Sequence, residues 1–279
     1  MENKIKNIFV AGGTTGMGKG IAMHYLRLGS KVIIVGNTHA RGQQLLDEAA
    51  LMGAADRLTF IRADLTSVRE NRRVIEEVKS KYQSLDAVIL TAMMPFPKRK
   101  ETEDGFESTF SLYYVSRFIL SYGLTSLLEK SENPLIVSLG GTGVINGEIH
   151  WDDLSLRNKY KLLTAMKQGN RANDLQGIAY TENHKNSKIR FILNHPGYTN
   201  SGVGHVKQPL KIIMKIMGSF FAQPVEKSIR PIIKLMDNPP NHSLIAWDRT
   251  KPIELYNAIN ISDAQRLYEL TKNLVADFV

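Results

Sequence analysis

The sequence predicts an α/β domain built on a doubly wound, mostly parallel sheet, and two observations predict it. Short apolar runs alternate with longer amphipathic runs from the N-terminus to about Pro196. A cluster of glycines, "AGGTTGMGKGIA", falls between the first apolar run and the first amphipathic one. Near-continuous apolar strands separated by helices are what right-handed βαβ crossovers leave in a sequence, because helices then cover both faces of the sheet.

Taken in order, "NIFVAGG" reads as a buried strand running into glycines. "GKGIAMHYLRLGS" reads as a helix stopped at Gly29, a residue that readily takes the left-handed backbone of a helix end. "KVIIVG" is a second strand and "ARGQQLLDEAALMG" a second helix. "RLTFIRAD" and "LDAVILTA" are the next strands, with "SVRENRRVIEEVKSKY" helical between them. A long helical segment is expected over roughly 105–130. "NPLIVSLGG" is a fifth strand, a further helix runs from Tyr160 to about Asn183, and "SKIRFILNHPG" is a sixth strand. No repeat, linker or low-complexity stretch divides the chain, so a single domain over residues 1–279 is the economical reading. After Gly197, "KQPLKIIMKIMGSFF" is apolar and basic. We read it as a substrate lid at about 200–222, with a surface-binding helix as the alternative.

Composition narrows the function classes. The absence of cysteine excludes disulfides, thiolate metal sites and a cysteine nucleophile, and fits a reducing, cytoplasmic setting. No apolar run approaches the roughly 20 residues that span a bilayer. The net charge of +9 suits a phosphorylated ligand, but the basic residues are scattered and the densest cluster, "PKRK" at Pro97–Lys100, is short. A nucleic-acid partner is therefore not expected. The histidines are dispersed, with no H-E-x-x-H, so no metal site is expected, and no G-x-S-x-G elbow marks a hydrolase. His195, at the end of the sixth strand, reads as structural.

Gly12, Gly16 and Gly18 show the spacing G-x-x-x-G-x-G. Glycines at the first strand-to-helix turn let the backbone bend sharply and approach a pyrophosphate held at the helix N-terminus. With "ADLT" at Ala63–Thr66, "LDAVILTA", "GFESTFSLYYVSRFIL", "LIVSLGG", "WDDL" and "HPG" at His195–Gly197, the chain resembles a short-chain dehydrogenase/reductase nearly end to end. "WDDL" and "ISDAQRLYELTKNLV" are similar to the retinol-dehydrogenase-like branch of that family. The resemblance implies a Rossmann-type sheet, a nicotinamide cofactor and hydride transfer to or from a carbon of a small, apolar substrate. It also implies a cofactor loop of Gly12, Thr14, Thr15, Gly16, Met17 and Gly18, with Asp64 and Leu65 beside the adenine. Ala92, Pro196, Gly197 and Thr199 would lie along the nicotinamide, and Lys167 on its ribose. The helices at about 105–130 and after Tyr160 commonly pack between subunits in this family, so self-association is expected.

Several family positions are changed. The N-N-A-G motif reads Leu90, Thr91, Ala92, Met93, and a methionine in place of its glycine would crowd the cofactor. The family's asparagine in the long helix is matched by Tyr113, its catalytic serine by Gly140 or Gly141, and the tyrosine of Y-x-x-x-K by Leu163. Lys167 remains. Tyr160 stands seven before it, a spacing that resembles the enoyl-acyl carrier protein reductases of the same superfamily. At 1.5 Å per helical residue Tyr160 would lie about 10 Å before Lys167 along the axis, against about 6 Å for position 163. Residues seven and four apart share a helix face, so Tyr160 and Lys167 are candidate catalytic residues, with Tyr113 and Tyr198 as further phenols.

Two functional readings stay open. In one the chain reduces a carbonyl or an enone with an atypical site; in the other it binds NADP(H) without turnover, as a sensor, scaffold or partner subunit. NADP(H) is expected over NAD(H), because the second strand ends in Gly36, Asn37 and Thr38 with no acid for the ribose 2′-hydroxyl. Arg41 follows within reach of a 2′-phosphate.

Overall fold

A computed structural model describes residues 5–143, 146–197, 223–255 and 260–276. The expected lid at about 200–222, and Tyr198 and Thr199 before it, lie outside the described residues. Seven parallel strands form the sheet: β1 (Asn7–Ala11), β2 (Lys31–Gly36), β3 (Leu58–Arg62), β4 (Ala87–Leu90), β5 (Leu135–Leu139), β6 (Arg190–His195) and β7 (Leu244–Asp248). A short β8 (Lys251–Pro252) turns back antiparallel on β7, giving the order β3-β2-β1-β4-β5-β6-β7-β8. The single doubly wound α/β domain read from the sequence is what the chain forms. The order reverses between β1 and β4, and ligands of such sheets bind in the crevice outside the carboxyl ends of the strands at that point.

The strands are apolar on both faces, and each face has its own core. In β1, Ile8 and Val10 join Ile21 and Leu26 of α1 (Gly16–Arg27), Leu45 of α2 (His39–Leu51) and Ile232 of α8 (Val225–Asp237). Phe9 and Ala11 face the other way, toward Val74 of α3 (Val68–Lys81), Leu120 of α5 (Ser116–Gly123), Ile178 of α7 (Leu162–Asn183) and Leu267 of α9 (Ile261–Ala276). Alternation within a continuous apolar run thus divides the helices into two layers.

Four details differ from the sequence expectation. The segment at about 105–130 is not one regular helix. It opens as α4 (Ser108–Phe110), passes through a π-helical turn at Ser111–Val115, continues as α5, breaks at Leu124 and ends as α6 (Thr125–Leu128). Glu107 caps its start, with both carboxylate oxygens accepting 2.8 Å bonds from Thr109 N and Phe110 N. The helix expected from Tyr160 begins at Leu162, which leaves the tyrosine outside it. The first helix starts at Gly16, two residues before the expected Gly18. Beyond Gly197 the sequence reading had no strand, yet β7, flanked by α8 and α9, completes the sheet.

The C-terminal α9 lies across α5 and α7, the helices expected to pack between subunits. Tyr268 meets Phe118 and Tyr122 at ring centroid distances of 5.8 and 5.2 Å, and Thr271 bonds Tyr114 Oη at 2.8 Å.

Candidate active site

The glycine loop is fixed against β2 and β4. Gly12 N and Gly13 N both donate to Val35 O, and Thr91 Oγ1 donates to Ala11 O at 2.8 Å. Gly12 has φ +81°, and a Cβ there would stand 2.7 Å from Ala92 N. A Cβ on Gly18 would run into Gly12 O. Among the described residues no side-chain bond caps the N–H groups that open α1: Thr15 stands at the N-cap without a side-chain cap bond, and the first turn carries no acid. Free N–H groups on a helix N-terminus, beside a backbone stripped of side chains, fit a pyrophosphate. Thr14 is buried, its hydroxyl 2.7 Å from where a Cβ of Gly36 would sit. Met93, expected to crowd this region, is 45% exposed. Met17 is half-buried and packs against the α1 face of the core.

Parallel pairing of β2 with β3 brings an unforeseen cation to the crevice. Arg62 is in register with Gly36, is exposed, and donates from Nε to Asn37 O at 3.4 Å. Arg41 is half-buried on α2, and Asn37 is exposed. Arg62 was legible only through strand register, since it lies 25 residues from Asn37 in sequence. Asp64 is exposed, and its Oδ1 accepts from Thr66 N and Oγ1 at 2.9 and 2.8 Å, closing a tight turn; Leu65 beside it is buried.

The residues read from the sequence as catalytic candidates separate. Leu163, on the first turn of α7, is 69% exposed, and Lys167 one turn on is exposed too. Tyr160 is half-buried, hydrogen-bonds the carbonyl of Phe96 in the loop after β4, and lies 3.5 Å from Thr109 Oγ1. Burial holds this phenol above its ordinary pKa, with the Glu107 carboxylate acting in the same direction. Tyr113 instead points at the end of β5. Its hydroxyl donates to Asn170 Oδ1, and Gly141 N donates to that same Oδ1 at 2.7 Å and to Tyr113 Oη at 3.3 Å.

Arg117 lies under the Tyr113 ring, its guanidinium 4.5 Å from the ring centroid. It is 1% exposed and donates to Ser138 Oγ at 2.7 Å, Leu139 O at 2.9 Å and Ala92 O at 3.3 Å. Among the described residues no carboxylate pairs with it. Loss of solvation holds it down to about 10, with Tyr113 acting the other way. A buried cation therefore sits beneath the carboxyl ends of β4 and β5.

The loop after β5 is also tied to α7 by Asp174, whose Oδ2 accepts from Gly143 N at 3.1 Å while Oδ1 is buried without a hydrogen-bond partner among the described residues. At the end of β6, His195 Nδ1 bonds Asp248 Oδ1 at 2.7 Å. Pro196 and Gly197 follow, half-buried. Gly197 has φ +77°, and a Cβ there would stand 3.0 Å from Arg249 Nε.

The model of a family described as short chain dehydrogenase matches residues 6–152. Human polyprenol dehydrogenase is 30% identical over 220 residues, 75% of this chain and 66% of that protein. Human retinol dehydrogenase 14 is 27% identical over 290 aligned residues, 97% of this chain and 86% of the relative. The crystal structure of an NADPH-bound carbonyl reductase from chicken fatty liver superimposes with a TM-score of 0.67 at 16% identity, over 90% of this chain and 99% of that one.

Proposed function

The chain belongs to the short-chain dehydrogenase family, and from that premise we propose that it is an NADP(H)-dependent oxidoreductase acting on a carbonyl or enone group of an apolar substrate. The observation that carries this reading is the glycine loop, where Gly12 and Gly18 have no room for a side chain and, among the described residues, no side chain caps the first turn of α1. A nicotinamide cofactor, when bound, supplies or accepts the hydride. The chain's own residues do the rest. The α1 N-terminus holds the pyrophosphate, Arg62 and Arg41 hold a 2′-phosphate beside Asn37, and Lys167 holds the ribose. Tyr160, at the entry to α7, is the phenol assigned to the substrate oxygen. Two large apolar side chains that are well exposed, Met93 and Leu163, follow β4 and open α7, which suits an apolar substrate. The names of the dehydrogenases above, for a polyprenol and for retinol, agree with such a substrate.

The exposed Leu163 at the family's tyrosine position favours one other reading, a nucleotide-binding protein without turnover. Both are tested together. NADPH and NADH are titrated against the protein, and loss of reduced nicotinamide is followed with a panel of ketones, aldehydes, enones and enoyl thioesters. Tighter NADPH binding with turnover supports the enzyme. Binding without turnover across the panel supports the alternative, and no binding of either cofactor refutes both.

A further inference from the structure

We propose that Arg117 is the charge that makes this crevice prefer the reduced form of its nicotinamide cofactor, acting through its field and not by contact. This rests on the cofactor reading above and adds to it the redox state that is bound. Oxidised nicotinamide carries a positive charge that the reduced ring lacks. A cation held nearby and out of water therefore weakens binding of NADP+ relative to NADPH, and acts equally on the phosphates that the two forms share.

Three observations carry this. The first is topology. The cations assigned to a 2′-phosphate, Arg62 and Arg41, belong to β3 and α2, and the pyrophosphate cradle opens α1 after β1. In the order β3-β2-β1-β4-β5, a dinucleotide laid across the crevice from β2 past β1 brings its nicotinamide half toward the carboxyl ends of β4 and β5. The second is contact. Arg117 reaches those same two strand ends from α5, donating to Ala92 O after β4 at 3.3 Å and to Leu139 O of β5 at 2.9 Å. Ala92 in turn abuts the cofactor loop, since a Cβ on Gly12 would stand 2.7 Å from Ala92 N. The Ala92 backbone thus stands between the guanidinium and the glycine cradle. The third is the charge itself. Arg117 is 1% exposed and has the Tyr113 ring against its guanidinium; among the described residues it has no carboxylate partner and no hydrogen bond at Nε. Burying an unpaired cation is costly. Its three acceptors, Ser138 Oγ, Leu139 O and Ala92 O, are neutral, and a neutral amide would donate to such groups without that cost. Packing therefore accounts for a donor at this position but not for a charge. Desolvation brings the guanidinium down to about 10, so it stays charged at neutral pH.

The test needs no substrate. NADPH and NADP+ are titrated separately by calorimetry at neutral pH against the wild type, Arg117→Gln and Arg117→Lys, with the thermal midpoint measured on each. Arg117→Gln removes the charge and keeps an N–H donor, whereas Arg117→Lys keeps the charge. Arg117→Met, also neutral, takes the place of Arg117→Gln should that variant not fold. The wild type is expected to bind NADPH about tenfold more tightly than NADP+, the scale of one partly screened charge acting across a few residues. In Arg117→Gln the two affinities should converge, through tighter NADP+ binding, and in Arg117→Lys they should part again. A structural role alone would weaken both forms alike and leave their ratio where it was. Equal affinities in the wild type overturn the proposal, as does a ratio that a folded neutral variant leaves unchanged. Failure of the cofactor reading shows itself separately, in a wild-type protein that binds neither form.

Discussion

Asp174 offers a stability measurement whose pH dependence follows from its surroundings. Its carboxyl is buried on α7, with one oxygen accepting from Gly143 N and the other without a partner among the described residues. Burial pushes its pKa up from 3.8 to about 6, against the lowering effects of Gly143 N–H, Arg171 and the Thr142 hydroxyl. The folded protein therefore holds this proton in a range where the unfolded chain has released it. Between about pH 4 and pH 6 the folded state binds more protons, so this group's contribution makes stability rise as pH falls through that window. Two pKa units at about 1.4 kcal/mol each put the penalty above pH 6 at roughly 3 kcal/mol as an upper bound. In a chain of this size that corresponds to a thermal midpoint shift of about 6 °C. Asp174→Asn removes the titration and keeps an oxygen for Gly143 N. Urea and thermal unfolding of both proteins, from pH 4.5 to pH 7.5, isolate the group, because every other titration is common to the pair. The wild type is expected to gain stability relative to Asp174→Asn as pH falls from 7 to 4.5. A difference independent of pH, or a relative loss for the wild type at low pH, refutes the argument.

Other consequences are simpler to state. Gly18→Ala puts a methyl into Gly12 O and should abolish NADPH binding while the far-ultraviolet circular dichroism stays native; retained affinity would remove the loop from the cofactor reading. Arg62→Ala and Arg41→Ala should each weaken NADPH binding and leave NADH binding nearly unchanged, and an equal effect on both cofactors would sink the 2′-phosphate assignment. Arg117→Met should destabilise by about 2 kcal/mol or more, because Ser138 Oγ, Leu139 O and Ala92 O lose a buried donor, and urea unfolding measures it. With α9 laid across α5 and α7, sedimentation at micromolar concentration should give a monomer, and charging its inner face with Leu267→Asp should expose the aromatic cluster and bring association; a wild-type dimer would contradict this.

The fold was legible where one residue pattern has one solution. The strands β1 to β6 are short apolar runs between turn residues, and their alternation with helices leaves a parallel sheet as the way to pair them. The C-terminal third was read less well. "LIAWD" of β7 is brief, ends in partly buried residues and follows a proline- and asparagine-rich stretch, so nothing local separates it from a loop. What makes it a strand is the edge that β6 presents, a long-range partner that periodicity does not register. The π turn at Ser111–Val115 was invisible for the same reason, whereas the break at Leu124 follows Gly123, where the helix closes on Ile75 of α3. The π turn lies where the helix packs against α7, a partner distant in sequence.

The site shows the same division. The glycine loop was readable because its chemistry is written in consecutive residues. The catalytic positions were read by correspondence, one residue for one residue, and that method looks for a lost hydroxyl only at the place where it was lost. Read that way, Tyr113 stood where the family resemblance implies an asparagine, and Gly140 or Gly141 where it implies a serine, so each by itself read as a loss. In the folded chain the changes adjoin. The phenol reaches Gly140, Gly169 makes room for its ring, and Asn170, three residues after Lys167, bonds its hydroxyl. These residues come from three separate parts of the chain, and only the packing of the Tyr113 helix against β5 and α7 brings them together. Correspondence of single positions therefore misses what the packing shows, that the space beside Gly140 is filled by a phenol from another element.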